Sequence, residues 1–275
     1  MGEAYVLVTG GTGIVGRQVV KALVARKQKV RAVVRPGKEA FFYERGLSVE
    51  TIRTEDLFKE GEDWMRKAYR EVDTVIHCAW SMDEHRVYRH SPKNMVCLIG
   101  TLRLAQAAIV CGVRRFVGIG TFAEYDTRYG AALSVESPLL PMDLYGGTKV
   151  AAFYGLRDLL RCAGRSFAWC RVFMLHGEEA GNNIISRIRT RLAAGESVEL
   201  TEGVVDFTDV AEAGRKIVEV ALGERQGAVN ICSGVPVSIR TMAEEIADTY
   251  ERRDLLRFVP LPKNSPDFLV SIGVP

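Results

Sequence analysis

Short apolar runs alternate along the chain with stretches whose apolar residues recur every three to four positions. The runs at residues 4–9, 30–34, 46–52, 74–77, 116–119 and 167–173 read as buried strands. The stretch 14–26 carries Ile14, Val15, Val19, Ala22 and Leu23 on one side, as an amphipathic helix would. A short helix fits 60–70, and longer ones fit 94–111, ended by Gly112, and 145–162, with Gly164 as a stop signal. Strands separated by helices require crossover connections, so the sheet is expected to be parallel. After Phe173 the pattern changes. A loop at 177–183 precedes a helix at 184–194, short strands near 198–200 and 228–231 flank a helix starting around Asp209, and another helix fits 239–250. The tail 260–275 reads as loop. Residues 1–173 are therefore expected to form a nucleotide-binding domain, and 174–275 mainly a smaller α/β substrate-binding lobe, with some segments returning to the first domain.

Composition narrows this picture. The chain has 275 residues, 47% hydrophobic and 26% charged, an ordinary globular balance that excludes disorder and fibrous folds. Net charge is +3, with no basic block, so no nucleic-acid partner is expected. Arg187, Arg189 and Arg191 alternate by two, which builds no single helix face, and read mainly as solvated charge. Apolar character at the N-terminus runs only from Ala4 to Val8 without a basic head, and no run approaches the ~20 residues of a membrane span. A cytoplasmic protein with no membrane partner is expected. The cysteines are scattered without a CxxC and read as buried free thiols. His85, His90 and His176 share no ligand spacing, so no metal is expected.

The first chemical motif is Gly10, Gly13 and Gly16 between the first strand and the first helix. Small residues allow a tight turn, and backbone N–H groups around Thr12, Ile14 and Val15 can face a pyrophosphate at the helix N-terminus, where the helix dipole favours negative charge. Gly16 would let helix and strand pack closely, as in a Rossmann-type doubly wound sheet. The second strand ends at Arg35 with no acid. An arginine fork suits a 2′-phosphate, so NADP(H) is preferred, with NAD(H) left open. The second motif is Tyr145 and Lys149, four residues apart on one helix face. An ammonium beside a phenol would lower the phenol's pKa and let it exchange a proton near neutrality.

These motifs together resemble the extended short-chain dehydrogenase/reductase family, the NAD-dependent epimerase/dehydratases, over nearly the whole chain. Residues 9–16 match its cofactor loop. Asp56-Leu57 resembles the acid-Leu pair that touches adenine, and His77-Cys78-Ala79-Trp80 the turn after the fourth strand. Asn94 and Gly100-Thr101 match a helix motif, and the 116–121 run the strand that ends in the catalytic hydroxyl, here Thr121. Segments 171–177, 206–210 and 229–231 also fit. The resemblance implies hydride transfer at an oxygen-bearing carbon, usually of a nucleotide-diphosphate hexose. Tyr145 would supply the proton, Lys149 would hold the nicotinamide ribose and tune Tyr145, and Thr121 would orient the reacting oxygen.

Departures from the pattern bear on the substrate. Met174 stands for the usual asparagine and Val205 for the usual arginine, both groups that help hold a nucleotide diphosphate. Phe122 and Ala123 follow Thr121 where a 4,6-dehydratase carries two acids, which argues against elimination, and Glu124 reads as loop rather than as a catalytic acid. Substrate contacts are expected from Trp80, Phe122, Ala123, Met174, Asn183 and Arg187, with Met82 and His85 as further candidates to line the cleft. Residues 177–200 and 228–275 are expected to close as a lid, with Arg187, Arg191 or Arg257 gripping a diphosphate. The leading expectation is an NADP(H)-dependent 4-ketoreductase of a nucleotide-linked 6-deoxyhexose. Alternatives are a redox-neutral epimerase, a reductase of a small carbonyl compound, and a non-catalytic NADP-sensing protein. Apolar surface on the helices 94–111 and 145–162, with Leu98, Leu102, Ala105 and Ile109 at core-like spacing on the first, implies a homodimer.

Overall fold

The computed structural model describes residues 4–82, 87–129, 132–177, 179–181, 183–260 and 270–275. Seven parallel strands form the main sheet, in the spatial order Gly227–Ile231, Ser166–Val172, Arg115–Thr121, Val72–His77, Tyr5–Thr9, Val30–Val34, Glu50–Arg53. Helices cover both faces. On one, Ile14–Ala25 and Val210–Leu222 pack together over Val8, Val19, Leu23, Ile217 and Val218. On the other lie Glu62–Ala68, Lys93–Val110 and Leu144–Cys162, over Leu7, Val75, Leu104, Phe116, Leu156 and Trp169. Burial from both sides is why these strands read as unbroken apolar runs rather than alternating ones.

The structure shifts several sequence expectations. The third strand is Glu50–Arg53, later than the 46–52 run, because the preceding residues close a turn around buried Phe42. Gly46 takes φ +68° there, and the Leu47 N–H donates to the Phe42 carbonyl at 3.0 Å. The 228–231 run does not belong to a lid. Gly227–Ile231 pairs residue for residue with Ala168–Val172 and forms the edge of the main sheet. On Lys93–Val110 the buried residues include Cys97, Gly100, Thr101, Leu104 and Ala108, one step around from the expected face. Gly100 decides this, since a side chain there would collide with Phe58. The helix is long and apolar enough to cross a membrane by length and composition alone. Its buried face, however, packs on the sheet and on Leu144–Cys162, and Thr101 bonds a buried histidine, as in the core helix of a globular domain.

The smaller lobe holds strands that the pattern hid. Val204–Asp209 pairs with Met174–His176, Pro236–Ser238 and Val270–Gly273, and the last of these continues to Ala132–Leu133. Val198–Thr201 pairs separately with Leu256–Val259. These strands are two to six residues long, too short for a period to show, and their partners are distant in sequence. Val205, Phe207, Ile188, Leu192, Ile239 and Met242 form the lobe's own core. Buried Asp206 is its polar clamp. Its carboxylate accepts from Ser233 N and Oγ, both at 2.8 Å, from Gly234 N at 2.7 Å and from Gly273 N at 3.3 Å, tying three segments together. All six cysteines are free, and Cys162 is exposed at its helix end rather than buried.

Candidate active site

The chemistry-bearing residues gather at the carboxyl ends of the main-sheet strands, where open parallel α/β sheets bind ligands. The glycine loop leaves the first strand there. Gly10 sits at φ +64°, and a Cβ on it would lie 2.8 Å from the Ala79 backbone, so only glycine lets the two strand-end turns meet. A Cβ on Gly16 would strike the Gly10 carbonyl. Gly13 is the N-cap of Ile14–Ala25. The result is a bare helix N-terminus above the sheet, with Thr12, Ile14 and Val15 around it. This cradle fits the pyrophosphate of a dinucleotide, because the glycines let the loop fold tightly against the Ala79 turn and leave backbone N–H groups at the helix N-terminus.

Behind the loop, the turn after the fourth strand is bonded to the first. The Cys78 N–H donates to the Thr9 carbonyl at 3.1 Å, and the Ala79 N–H to Thr9 Oγ1 at 3.3 Å. His77 lies between Thr9 and Thr101, with ring nitrogens 2.8 and 2.9 Å from their hydroxyls. Burial, with the Lys149 charge nearby, pushes its pKa down to about 3. His77 is therefore a neutral imidazole between hydroxyls and carries no charge at neutral pH. Asp56 caps the turn Leu57–Lys59 through the Phe58 N–H at 3.1 Å, and Leu57 is buried beneath it. Arg35 stands exposed at the end of the second strand.

Thr121, Tyr145 and Lys149 come together as expected from their motifs. Thr121 ends the fifth strand, and its Oγ1 caps the turn Phe122–Glu124. Asp143 caps the helix Leu144–Cys162, placing Tyr145 in the first turn. Gly146 lets that helix approach the Thr121 turn, since a Cβ there would sit 2.5 Å from the Ala123 carbonyl. The Thr121 hydroxyl lies near enough to the Tyr145 phenol to favour its ionised form. Lys149, buried, donates from Nζ to the Ile119 carbonyl at 2.7 Å and lies 3.7 Å from the centre of the Trp80 ring. Trp80 in turn donates to Asn94 Oδ1 at 2.8 Å and meets the Tyr145 ring edge-on.

One electrostatic expectation reverses. The Tyr145 phenol is pushed above its ordinary value, not below it. Burial dominates, Tyr88, Glu124 and Asp143 push the same way, and the Thr121 hydroxyl opposes them. Lys149 does not counter this, because its ammonium is directed at Ile119 and Trp80, 5.8 Å from the centre of the Tyr145 ring. Burial lowers Lys149 itself to about 7, with Glu124 acting in the opposite direction.

The expected substrate residues divide. Phe122, Ala123 and half-buried Met174 fall in one apolar cluster with Phe173, and Phe122 stacks on Phe173 with ring centres 5.4 Å apart. Trp80 reaches the Tyr145–Lys149 pair. Asn183 is occupied as the N-cap of Ile184–Ala193, accepting from Ser186 N at 2.9 Å. Arg187 sits half-buried in the first turn of that helix, whereas Arg189 and Arg191 are exposed and Arg191 pairs with Glu196. Arg257 donates to the carbonyls of its own turn. Val205 is a core residue of the small lobe. Met82 is exposed, and His85 lies outside the described residues. Among the described residues no group of three or more potential ligands could hold a metal. Two neighbours carried no sequence signal. Tyr88 packs edge-on against Tyr145 at 5.1 Å. Glu179 reaches from the small lobe to Gln18 and to Lys21, the latter at 2.6 Å, on the helix of the glycine loop.

The model of the "NAD dependent epimerase/dehydratase family" matches residues 6–232. The chain belongs to this family. Within it, the chain is 23% identical over 274 residues to a dTDP-6-deoxy-L-talose 4-dehydrogenase (NAD(+)) of Aggregatibacter actinomycetemcomitans, covering 98% of both chains. It is 25% identical over 286 residues to a dTDP-6-deoxy-L-talose 4-dehydrogenase (NAD(P)(+)) of Kitasatospora kifunensis, covering 94% of this chain and 83% of that one. Among solved structures it is similar to MoeE5 in complex with UDP-glucose and NAD, with a TM-score of 0.80 and 25% identity, covering 98% of this chain and 88% of that one. Family membership and the Rossmann fold inferred from the motifs thus stand.

The neutral state of His77 has a measurable consequence. In the unfolded chain its pKa returns to ~6.5. The unfolded state therefore binds a proton that the folded state refuses, and this contribution to stability is lost as pH falls from ~6.5 toward about 3. Urea denaturation should show about 2 kcal/mol of lost stability between pH ~7 and ~5 from this group. The His77→Gln variant should lack that component. Identical pH dependence in parent and variant would remove His77 as its source.

Proposed function

We propose that the protein is a nicotinamide-dependent oxidoreductase that reduces the 4-keto group of a nucleoside-diphosphate 6-deoxyhexose. The observation that carries this reading is the convergence of Thr121, Tyr145 and Lys149 beside a glycine cradle fitted to a dinucleotide. The substrate class is supported by the two 4-dehydrogenases similar to this chain over nearly its whole length. Phe122 and Ala123, apolar and buried, supply no acid to drive elimination, which disfavours a dehydratase.

The chain's own groups have distinct tasks. Thr121 and Tyr145 hold the reacting oxygen between their hydroxyls. The Tyr145 phenol, protonated at neutral pH, gives its proton to that oxygen as it gains charge. Lys149 contributes positive charge where the oxygen becomes anionic, in a site that Trp80 and Tyr88 shield from water. The nicotinamide, when bound, supplies the hydride. Arg35, exposed at the end of the second strand, is placed to meet a 2′-phosphate, which is the basis for preferring NADP(H).

A smaller carbonyl substrate is the second reading. It draws on Val205 in the core and Asn183 in a helix cap, which leave fewer polar groups to grip a diphosphate. We also propose a homodimer. Met95, Val96 and Ile99 on one helix and Tyr154 on its neighbour are exposed large apolar residues of the two-helix layer, and such a face calls for a partner.

Three measurements test these readings. Tyr145→Phe should cut turnover of a dTDP-4-keto-6-deoxyhexose at least ~100-fold while cofactor affinity stays near the parent's. Near-normal turnover would exclude Tyr145 as the acid, and turnover of small ketones alone would favour the second reading. NADPH should bind more tightly than NADH, with Arg35→Ala narrowing the difference. Equal affinities in the parent would reject the role of Arg35. Sedimentation at micromolar concentration should give twice the chain mass, and a monomer would reject the dimer.

A further inference from the structure

Glu124 stands three residues after Thr121, and its side chain is completely buried. A carboxylate in that position survives only if donors replace its water. Oε1 accepts from the Thr121 N–H at 2.8 Å and from Trp169 Nε1 at 2.9 Å. Oε2 accepts from Arg171 Nε at 2.8 Å, and the Arg171 side chain is equally buried. The fit is tight, since a Cβ on Gly120 would strike both the indole nitrogen and the carboxylate. Arg171 then donates to Tyr125 Oη at 3.0 Å, and Tyr125 donates to Asn230 Oδ1 at 2.6 Å. Asn230 Nδ2 holds the carbonyls of Leu133 at 2.8 Å and Val274 at 3.0 Å. The carboxylate is thus held by its own turn and by one strand, and the network behind it reaches on to Asn230, Leu133 and Val274.

On its other side this network meets the reacting groups. The Thr121 amide that Glu124 holds belongs to the residue whose hydroxyl lies near the Tyr145 phenol. Lys149 is anchored two residues upstream, on the Ile119 carbonyl, and its Nζ lies 5.7 Å from the centre of the Trp169 ring. The titratable groups facing Lys149 are Glu124, Cys78, Cys97 and His77, and Glu124 is the carboxylate among them. Those acting on Tyr145 are Tyr88, Glu124 and Asp143, and Asp143 is already paired with Arg89 at 3.4 Å.

We propose that Glu124 is a positioning residue of the reaction, pinning the Thr121 turn from behind and supplying the buried counter-charge that keeps Lys149 an ammonium. The proposal rests on the roles given above to Thr121, Tyr145 and Lys149. It differs from a merely structural ion pair in one respect: removing the charge of Glu124 must change how Lys149 titrates. Without it, the largest influence opposing the burial of the ammonium is gone, and Lys149 loses its proton at lower pH. Tyr145, freed of the same negative charge, also ionises at lower pH. Both changes move the alkaline limb of the rate profile downward.

The test compares the parent with Glu124→Gln, which keeps the shape and removes the charge. Lysine-labelled protein is titrated by NMR, and the midpoint of Lys149, assigned by its loss in Lys149→Met, should fall by about one pH unit. With a dTDP-4-keto-6-deoxyhexose and NADPH or NADH, kcat should fall about tenfold or more, with KM within about threefold, and the alkaline limb should shift down. Should Glu124→Gln not fold, Glu124→Gln with Arg171→Met replaces the buried pair by neutral groups, a change commonly tolerated; the two lost charges offset each other at Lys149, so the readout there is kcat, which should still fall about tenfold because the Thr121 turn is no longer pinned. In Glu124→Gln an unchanged Lys149 midpoint overturns the proposal, as does a changed midpoint with unaltered turnover; in the double variant unaltered kcat does. A parent that ignores this substrate overturns the functional reading instead, and the Lys149 midpoint still decides Glu124.

Discussion

Burying two opposite charges is expensive unless every lone pair and donor they carry finds a partner, and the interior of this protein is arranged around one such pair. Glu124 and Arg171 lie side by side with almost no solvent contact. Pairs of this kind contribute little net stability, but they tolerate few geometries. Here the geometry links the fifth and sixth strands of the main sheet to Asn230 on its edge strand, and through Asn230 to the last residues of the chain. Since the Thr121 backbone hangs from the same carboxylate, its position is set by the junction of the two lobes as well as by the local turn.

At the cofactor end the determining contact is between backbones. Gly10 and Ala79 approach so closely that no side chain fits between them, and His77 fills the space below as a neutral ring between two hydroxyls. Along the first helix, Glu179 of the small lobe reaches Gln18 and Lys21, and Gly181 lies against Ile14. The small lobe thus contacts the helix of the glycine loop directly.

The cleft between the lobes has a mixed character. Near Thr121 it is apolar, with Phe122, Phe173 and Met174 in one cluster. Around Lys149 it is aromatic, with Trp80 and Tyr88 enclosing the Tyr145–Lys149 pair. An ammonium stripped of water by burial gives up its proton more readily than one in solution, which brings Lys149 to about 7. The chain's departures from its family at Met174 and Val205 therefore replace polar grip by packing.

What the sequence determined by itself was whatever depends on neighbours along the chain. Unbroken apolar runs and three-to-four-residue spacing located the main strands and helices, because each of those segments buries a face set by its own period. Gly10, Gly13 and Gly16, and the four-residue step from Tyr145 to Lys149, were legible because a loop and a single helix turn impose those spacings. Only the tertiary structure decided matters that depend on distant partners. The strand Gly227–Ile231 joined the main sheet because Ser166–Val172 offered an open edge. Asn183 became a cap because a helix began beside it, and Glu124, which reads as a loop residue, became buried because Arg171 and Trp169 arrive from another strand. The direction of the Tyr145 shift was likewise beyond the sequence. Spacing puts a lysine near the phenol, but burial and the aim of the ammonium toward Ile119 decide which protonation state is favoured.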